Sequence, residues 1–182
     1  LTGRLLTGPY RIPVARYELT SVFTNAMATA PYRGAGRPEA TYLLERTMDA
    51  IARACDLDQA EVRRRNLIQP GEFPYRAPSG LVYDSGQYEA ALDRALTLVD
   101  YKRFRDAQRC AREEGRYLGI GFSTFMETAG VGPSKITPIL GWESGTVRIE
   151  PSGKITVLTG TSPHGQGLQT AFAQIAADQL GV

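Results

Sequence analysis

Two short glycine-rich loops hold the side chains of this sequence that are best suited to bind an anionic group. The first, APYRGAGRPEA, spans residues 30–40 and places Arg33 and Arg37 on either side of a run of small residues. Each arginine presents a planar set of N–H donors that fits an oxyanion or a phosphate. The competing interpretation is that both arginines pair with surface carboxylates such as Glu39, and the loop alone leaves both interpretations open.

The second loop, GTSPHGQG, spans residues 160–167, between a strand-like and a helix-like stretch. Its glycines permit a positive φ and the close approach of a ligand, and the free N–H groups at a helix start favour phosphate. Neither nucleotide-binding motif fits, because a P-loop needs lysine where Gln166 stands and a dinucleotide fingerprint needs a small residue at Thr170. An anion or cofactor loop and a tight strand-to-helix turn therefore stay open.

The other chemically active residue types are scattered. His164 is the only histidine, and because no metal-ligand spacing or nucleophile accompanies it, a structural or supporting role is expected. Glu127 is an isolated carboxylate after a strand-like stretch. Cys55 and Cys110 have neither zinc-site nor redox-motif spacing and are predicted to be free, buried thiols, which fits a reducing cytoplasm.

Composition excludes several classes of function. A net charge of +2 over 182 residues is too small to indicate nucleic-acid binding. The longest basic run, residues 63–65, is interpreted as the solvated C-terminal end of a helix. No run of 18 apolar residues predicts a membrane span, and no signal-peptide pattern is visible. Because the chain lacks a starting methionine and ends just after a helical pattern, we expect it to be a piece of a longer polypeptide.

Helices are predicted next to both loops. Apolar residues at three- and four-residue spacing predict a helix after the first loop, with Pro38 in its first turn. Further helices are predicted to begin at Asp58 with a capping box, after Ser85 as a cap, and near Tyr101. The second loop leads into a helix predicted over residues 168–180.

Strands and loops fill the rest of the chain. Residues 10–25 and 117–127 have strand-like composition, and residues 145–151 and 154–160 are predicted to form a hairpin. Four prolines and two glycines predict a long irregular loop over residues 68–80. The result is an α+β fold with helices packed on short mixed sheets, and the change in character places a boundary near Gly115.

Three segments resemble one family of enzymes. Residues 30–66, 117–130 and 157–182 are similar, in this order, to the molybdenum-binding large subunit of the xanthine oxidase family of molybdenum hydroxylases, especially its carbon monoxide dehydrogenase and aldehyde oxidase members. Since several motifs match in order over nearly the whole chain, the resemblance is more specific than either loop. It implies that residues 1–115 end a first molybdopterin-binding subdomain and that residues 116–182 begin a second one.

The resemblance also implies a reaction and its cofactors. Such subunits bind molybdenum in a molybdopterin cofactor, often its cytosine dinucleotide form, and hydroxylate an electrophilic carbon of a small molecule with water-derived oxygen. Electrons leave through iron–sulfur clusters and FAD, which are expected on partner subunits because this chain lacks a cluster-binding cysteine set. The alternative is a structural or assembly segment that binds partner subunits without turnover.

The resemblance places residues in the site by motif. Arg33 is expected to be the catalytic residue, beside the metal and facing the substrate or an oxyanion, and Gln166 is expected to bind the pterin. Arg37 holds either the loop or the ligand. The full set of expected cofactor-binding residues is Tyr32, Arg33, Gly34, Gly165, Gln166 and Gly167.

Two departures from the family pattern matter. Copper-dependent carbon monoxide dehydrogenases carry a cysteine directly after the loop arginine, whereas this chain has Gly34. Without a thiolate there is no soft ligand for Cu(I), so no copper is expected. The family's catalytic glutamate lies downstream of the Gly-Gln-Gly motif, beyond Val182, so the 182 residues alone are expected to be inactive. The substrate class (aldehyde, N-heterocycle or carbon monoxide) stays open.

Overall fold

The fold is α+β, as predicted from the sequence. The computed structural model describes residues 2–30, 33–126 and 143–182. Its contacts divide the chain into two compact units, a first unit of Leu1–Met126 and a second unit of Glu127–Val182. The described helices are α1 (Thr2–Leu5), α2 (Arg37–Ala54), α3 (Gln59–Asn66), α4 (Tyr88–Leu98), α5 (Tyr101–Glu113) and α6 (Leu168–Leu180).

Two helix starts test the capping signals of the sequence. The Asp58 carboxylate accepts the N–H groups of Ala60 and Glu61 at 2.8 and 3.3 Å, so the Asp58 half of the predicted capping box is confirmed. The Glu61 carboxylate instead accepts a hydrogen bond from Arg65 at 2.6 Å. The predicted cap of α4 is wrong, because α4 begins at Tyr88 without a side-chain cap and the Ser85 hydroxyl instead donates to Asp84. Both residues are of types that commonly cap helices, so the sequence alone could not show that Asp58 is a cap and Ser85 is not.

The strands form two antiparallel pairs. In the first unit, β1 (Tyr75–Arg76) pairs with β2 (Val82–Tyr83), so part of the segment predicted to be an irregular loop is a short hairpin. In the second unit, β3 (Gly145–Ile149) pairs with β4 (Ile155–Thr159), which confirms the predicted hairpin.

The other two strand predictions fail in the described residues. The stretch 117–126 contains no strand, and residue 127 lies outside the described residues. Residues 11–30 are also irregular, and only Tyr10 bridges to Leu67. Both stretches have β-rich composition, but neither has a paired strand within the described chain to supply the missing hydrogen bonds.

A buried core joins α2, α3 and α4 in the first unit. It consists of apolar residues on the inward faces of these helices, together with the two residues that form the β-bridge, Tyr10 and Leu67. These residues are Tyr10, Leu44, Met48, Ala52, Val62, Leu67 and Leu92. A smaller cluster under the β1–β2 hairpin consists of Ile68, Ala77 and Tyr83.

The core also contains a charged network centred on Arg63, which is fully buried. Its Nε donates to Glu45 Oε2 at 2.8 Å, and its Nη2 donates to Asp49 Oδ1 at 3.0 Å and to the Glu45 carbonyl at 3.2 Å. Its Nη1 donates to the Gln59 carbonyl at 3.0 Å. The interpretation of the basic run as a solvated helix end is therefore wrong for Arg63, because α3 turns this side chain toward two acids of α2.

Neighbouring aromatic groups complete the network. The Tyr10 hydroxyl donates to Glu45 Oε1 at 2.7 Å, and the Phe122 ring lies 4.9 Å from the Arg63 guanidinium carbon. Burial raises the pKa of Tyr10, and the Glu45 carboxylate raises it further. Burial lowers the pKa of Arg63, but the hydrogen bond and the charge of Glu45 outweigh this effect, so the pKa is raised and the charge is kept.

Residues just before the end of the first unit pack on α5. The Gln108 side chain donates to the Leu118 carbonyl at 2.6 Å, and the Phe122 ring meets the Tyr101 ring edge-on with centroids 5.5 Å apart. Burial raises the pKa of Tyr101 to about 12, and its hydrogen bond to Asp58 adds to this rise. These contacts belong to the first unit, while the subdomain boundary near Gly115 stays a prediction.

Both cysteines are free, as predicted, but they are exposed rather than buried. Cys55 follows the last turn of α2, and Cys110 precedes Ala111, which is the one buried residue of α5. Among the described helices, none is long and apolar enough to cross a membrane.

Replacement of Arg63 by leucine should lower the free energy of unfolding by about 3–5 kcal/mol, because it leaves two buried carboxylates without their cation. The matched control is Arg65→Leu, since Arg65 lies two residues away, is exposed, and pairs with Glu61 at 2.6 Å. That change should cost less than about 1 kcal/mol. Denaturant unfolding measures both changes, and equal losses would contradict the structural role of the network.

Candidate functional site

The first loop is a tight turn built from left-handed backbone conformations. Gly34, Ala35 and Gly36 have φ values of 97°, 44° and 97°. Alanine rarely adopts this region, so Ala35 is a strained position between two glycines that tolerate it. The Arg37 N–H donates to the Gly34 carbonyl at 3.0 Å and closes the turn at the start of α2.

Gly34 is also required by the ring of Pro38. A Cβ atom at position 34 would lie 2.7 Å from Pro38 Cδ and 3.0 Å from Pro38 Cγ, which is too close for either atom. The positive φ adds a second reason, because residues with a side chain rarely adopt it. A glycine at this position therefore follows from the local geometry of the turn.

The two arginines of the first loop differ in exposure. Arg33 is exposed, whereas Arg37, the first residue of α2, is half-buried. Tyr32 lies outside the described residues. An exposed guanidinium beside a glycine turn can present several N–H donors to an anionic or oxygen-bearing group, and this is the chemistry that the described loop offers.

The second loop joins β4 to α6 and is open to solvent. Gly165 and Gly167 have φ values of 87° and 74°, and Gly167 is the N-terminal cap of α6 without a side-chain hydrogen bond. A Cβ atom at Gly167 would meet nothing within 4 Å. A ligand can therefore approach the backbone at Gly167 closely, and the first N–H groups of a helix such as α6 favour phosphate.

The beginning of the second loop is held by side chains. The Thr161 N–H donates to Thr159 Oγ1 at 3.2 Å, and the Thr161 hydroxyl donates to Glu143 Oε2 at 2.6 Å. These bonds attach the loop to the end of β4 and to the residue that lies two positions before β3.

The Gln166 side chain folds back into its own loop. Its Oε1 accepts a hydrogen bond from the backbone N–H of His164, and its Nε2 donates to the Ser162 carbonyl at 3.2 Å. The His164 ring nitrogen Nδ1 lies 2.8 Å from the same carbonyl. The sequence does not reveal these contacts, since they lie in an irregular loop whose backbone conformation residue types alone do not determine.

The structure therefore groups the expected site residues by loop. Arg33 and Gly34 lie together in the first unit, and Gly165, Gln166 and Gly167 lie together in the second unit. Within the described ranges, no group of three His, Cys, Asp or Glu side chains is arranged to hold a metal ion.

Two family models match the chain, and both describe a molybdopterin cofactor-binding domain. One matches residues 2–67, which include the first loop, and the other matches residues 94–182, which include the second loop. Together they leave out little more than the segment around the β1–β2 hairpin. The chain belongs to the molybdopterin cofactor-binding domains of the xanthine oxidase family, as the sequence motifs indicated.

Individual relatives agree with this assignment. The carbon monoxide dehydrogenase large chain of Afipia carboxidovorans is 40% identical over 98% of this chain and 23% of its own length. The structure of a Cu,Mo-CO dehydrogenase in its carbon-monoxide-reduced state is 39% identical over 98% of this chain and 24% of its own, with a TM-score of 0.82. The structure of quinoline 2-oxidoreductase from Pseudomonas putida 86 is 37% identical over 97% of this chain and 23% of its own, with a TM-score of 0.85. The chain thus spans about a quarter of the length of these relatives.

Proposed function

We propose that this chain is the molybdopterin-binding part of the catalytic large subunit of a molybdenum hydroxylase, which oxidises a small molecule with water-derived oxygen. The observation that carries the proposal is the location of the two glycine loops. Each loop leads into a helix start, and each lies inside a region matched by a molybdopterin-binding model. A purely structural or assembly role has no comparable support in the described residues.

The second loop fits the phosphate-bearing end of the cofactor. Gly165 and Gly167 have positive φ values, the Cβ position of Gly167 is open, and the start of α6 favours negative charge, as the pyrophosphate of a cytosine dinucleotide form would provide. Gln166 would bind the pterin through its amide. When bound, the cofactor supplies a molybdenum centre that accepts two electrons from the substrate.

Arg33 would act on the substrate side of the same centre. Its exposed guanidinium can orient a substrate oxygen or stabilise negative charge that develops during the reaction. Backbone groups of Tyr32 and Gly34 would support the metal's other ligands. In this role, Arg33 would be the catalytic residue of the described chain.

We further propose that the enzyme works without copper. Among the structural relatives, a Cu,Mo-CO dehydrogenase and quinoline 2-oxidoreductase resemble the chain to a similar degree, so similarity alone does not choose between their chemistries. The choice follows from Gly34, which provides no thiolate and whose Cβ position is blocked by Pro38. An aldehyde or an N-heterocycle is therefore a better substrate class than carbon monoxide.

The electron path would require other subunits. Iron–sulfur clusters and FAD would be carried by partner subunits in a cytoplasmic complex, because the two cysteines of this chain cannot hold a cluster.

Replacement of Arg33 by alanine in the full-length subunit should lower turnover by about 100- to 1,000-fold, the usual effect of losing one donor to a developing oxyanion. Molybdenum and pterin content should stay close to that of the unaltered enzyme. Arg16→Ala is the control, because Arg16 is an exposed arginine outside the loop. Unchanged turnover in Arg33→Ala would contradict its catalytic placement.

Replacement of Gln166 by alanine should reduce bound pterin, since it removes the amide that would hold the cofactor. Pterin is released by denaturation and measured by its fluorescence after oxidation. Gln174→Ala, on an exposed position of α6, should leave the yield unchanged. Equal yields from both variants would count against the role of Gln166.

Elemental analysis of the full-length enzyme should find molybdenum without stoichiometric copper, because position 34 has no thiolate. The comparison sample is enzyme incubated with Cu(I) and then desalted, which should also retain none. One copper per molybdenum in either sample would overturn the proposed copper-independent chemistry.

A further inference from the structure

The Ser162 carbonyl accepts two hydrogen bonds from side chains of its own loop. One comes from Gln166 Nε2 at 3.2 Å, and the other involves His164 Nδ1 at 2.8 Å. We propose that His164 is a positioning residue, which holds the loop through Nδ1 in the shape from which Gln166 binds the cofactor. This inference rests on the proposed cofactor role of Gln166 and adds a second residue to it.

The Gln166 side chain makes hydrogen bonds within its own loop. Its Oε1 accepts a hydrogen bond from the backbone N–H of His164, and its Nε2 donates to the Ser162 carbonyl. An amide oxygen accepts two hydrogen bonds and an amide nitrogen donates two, so a pterin can bind in addition to these bonds or can replace them when the amide turns outward. In the described loop, the Gln166 amide is turned toward its own backbone.

Where a pterin replaces the bonds of Gln166, His164 still contacts the Ser162 carbonyl. When Gln166 turns outward, the bond from His164 is the remaining side-chain bond to the Ser162 carbonyl. This bond keeps the carbonyl satisfied and keeps residues 162 and 164 together. Without it, the released segment would lose both of its side-chain bonds at the moment when the cofactor binds.

The His164 ring must donate a hydrogen to this carbonyl. A carbonyl oxygen only accepts hydrogen bonds, so Nδ1 must carry the hydrogen. The neutral ring with hydrogen on Nδ1 and the protonated ring both satisfy this condition. The role therefore requires a donor at the Nδ1 position and does not require a positive charge, which distinguishes it from a direct contact with phosphate through Nε2.

Two amide residues separate these possibilities. The Nδ2 of asparagine lies at about the same reach from the backbone as histidine Nδ1, whereas the Nε2 of glutamine matches the more distant Nε2 of the ring. The experiment compares His164→Asn, His164→Gln and His164→Leu in the full-length subunit. The readouts are pterin and molybdenum per subunit, and the rate of hydrogen exchange in the peptide covering residues 160–168.

We expect His164→Asn to keep its pterin and its exchange rate. His164→Gln and His164→Leu should lose pterin and exchange faster by about two- to ten-fold, the range expected for one neutral hydrogen bond. If His164→Leu does not fold, the asparagine and glutamine variants alone decide the question.

The opposite order, in which His164→Gln keeps its pterin and His164→Asn loses it, would overturn the proposal in favour of a direct contact through Nε2. Equal values in all three variants would overturn it as well. The Gln166→Ala variant, measured alongside, tests the proposed function separately: unchanged pterin there would contradict the role of Gln166 whatever the His164 variants show.

Discussion

The buried charge of Arg63 is the constraint on which the first unit depends. A guanidinium without water needs every hydrogen bond that its surroundings can supply, and two carboxylates and two carbonyls supply them here. These partners come from α2 and from the first residue of α3, so the network determines how the two helices pack. Since Tyr10 and Phe122 also contact it, segments from both ends of the unit are held at the same point.

The two glycine loops are held in shape by different parts of the chain. In the first loop, the backbone is constrained by left-handed conformations and by the Pro38 ring, and the side chain of Arg33 is left exposed. In the second loop, the backbone is open at Gly167, and side chains close the loop from within through His164 and Gln166. In the proposed site, one loop would offer a side chain to the ligand, while the other would offer backbone groups and the Gln166 amide.

Local signals in the sequence predicted the parts of the fold that depend on local energy. Asp58 capped its helix and the 145–160 hairpin formed as expected, because capping and tight turns are decided within a few residues. Arg63 was misinterpreted because its burial depends on acids of another helix, 14 and 18 residues away. The motifs located both loops, but the inward bonds of Gln166 could not be predicted, since they depend on dihedral angles that residue types do not determine.

The contact between Gly34 and Pro38 has a consequence for how such enzymes could diverge. Since the proline ring lies 2.7 Å from the place of a Cβ atom, a single exchange of Gly34 for cysteine would meet both a collision and an unfavourable φ. Pro38, the second residue of α2, would have to change or shift together with position 34. In the proposed site, this contact restricts the order of substitutions that could place a thiolate ligand beside the metal.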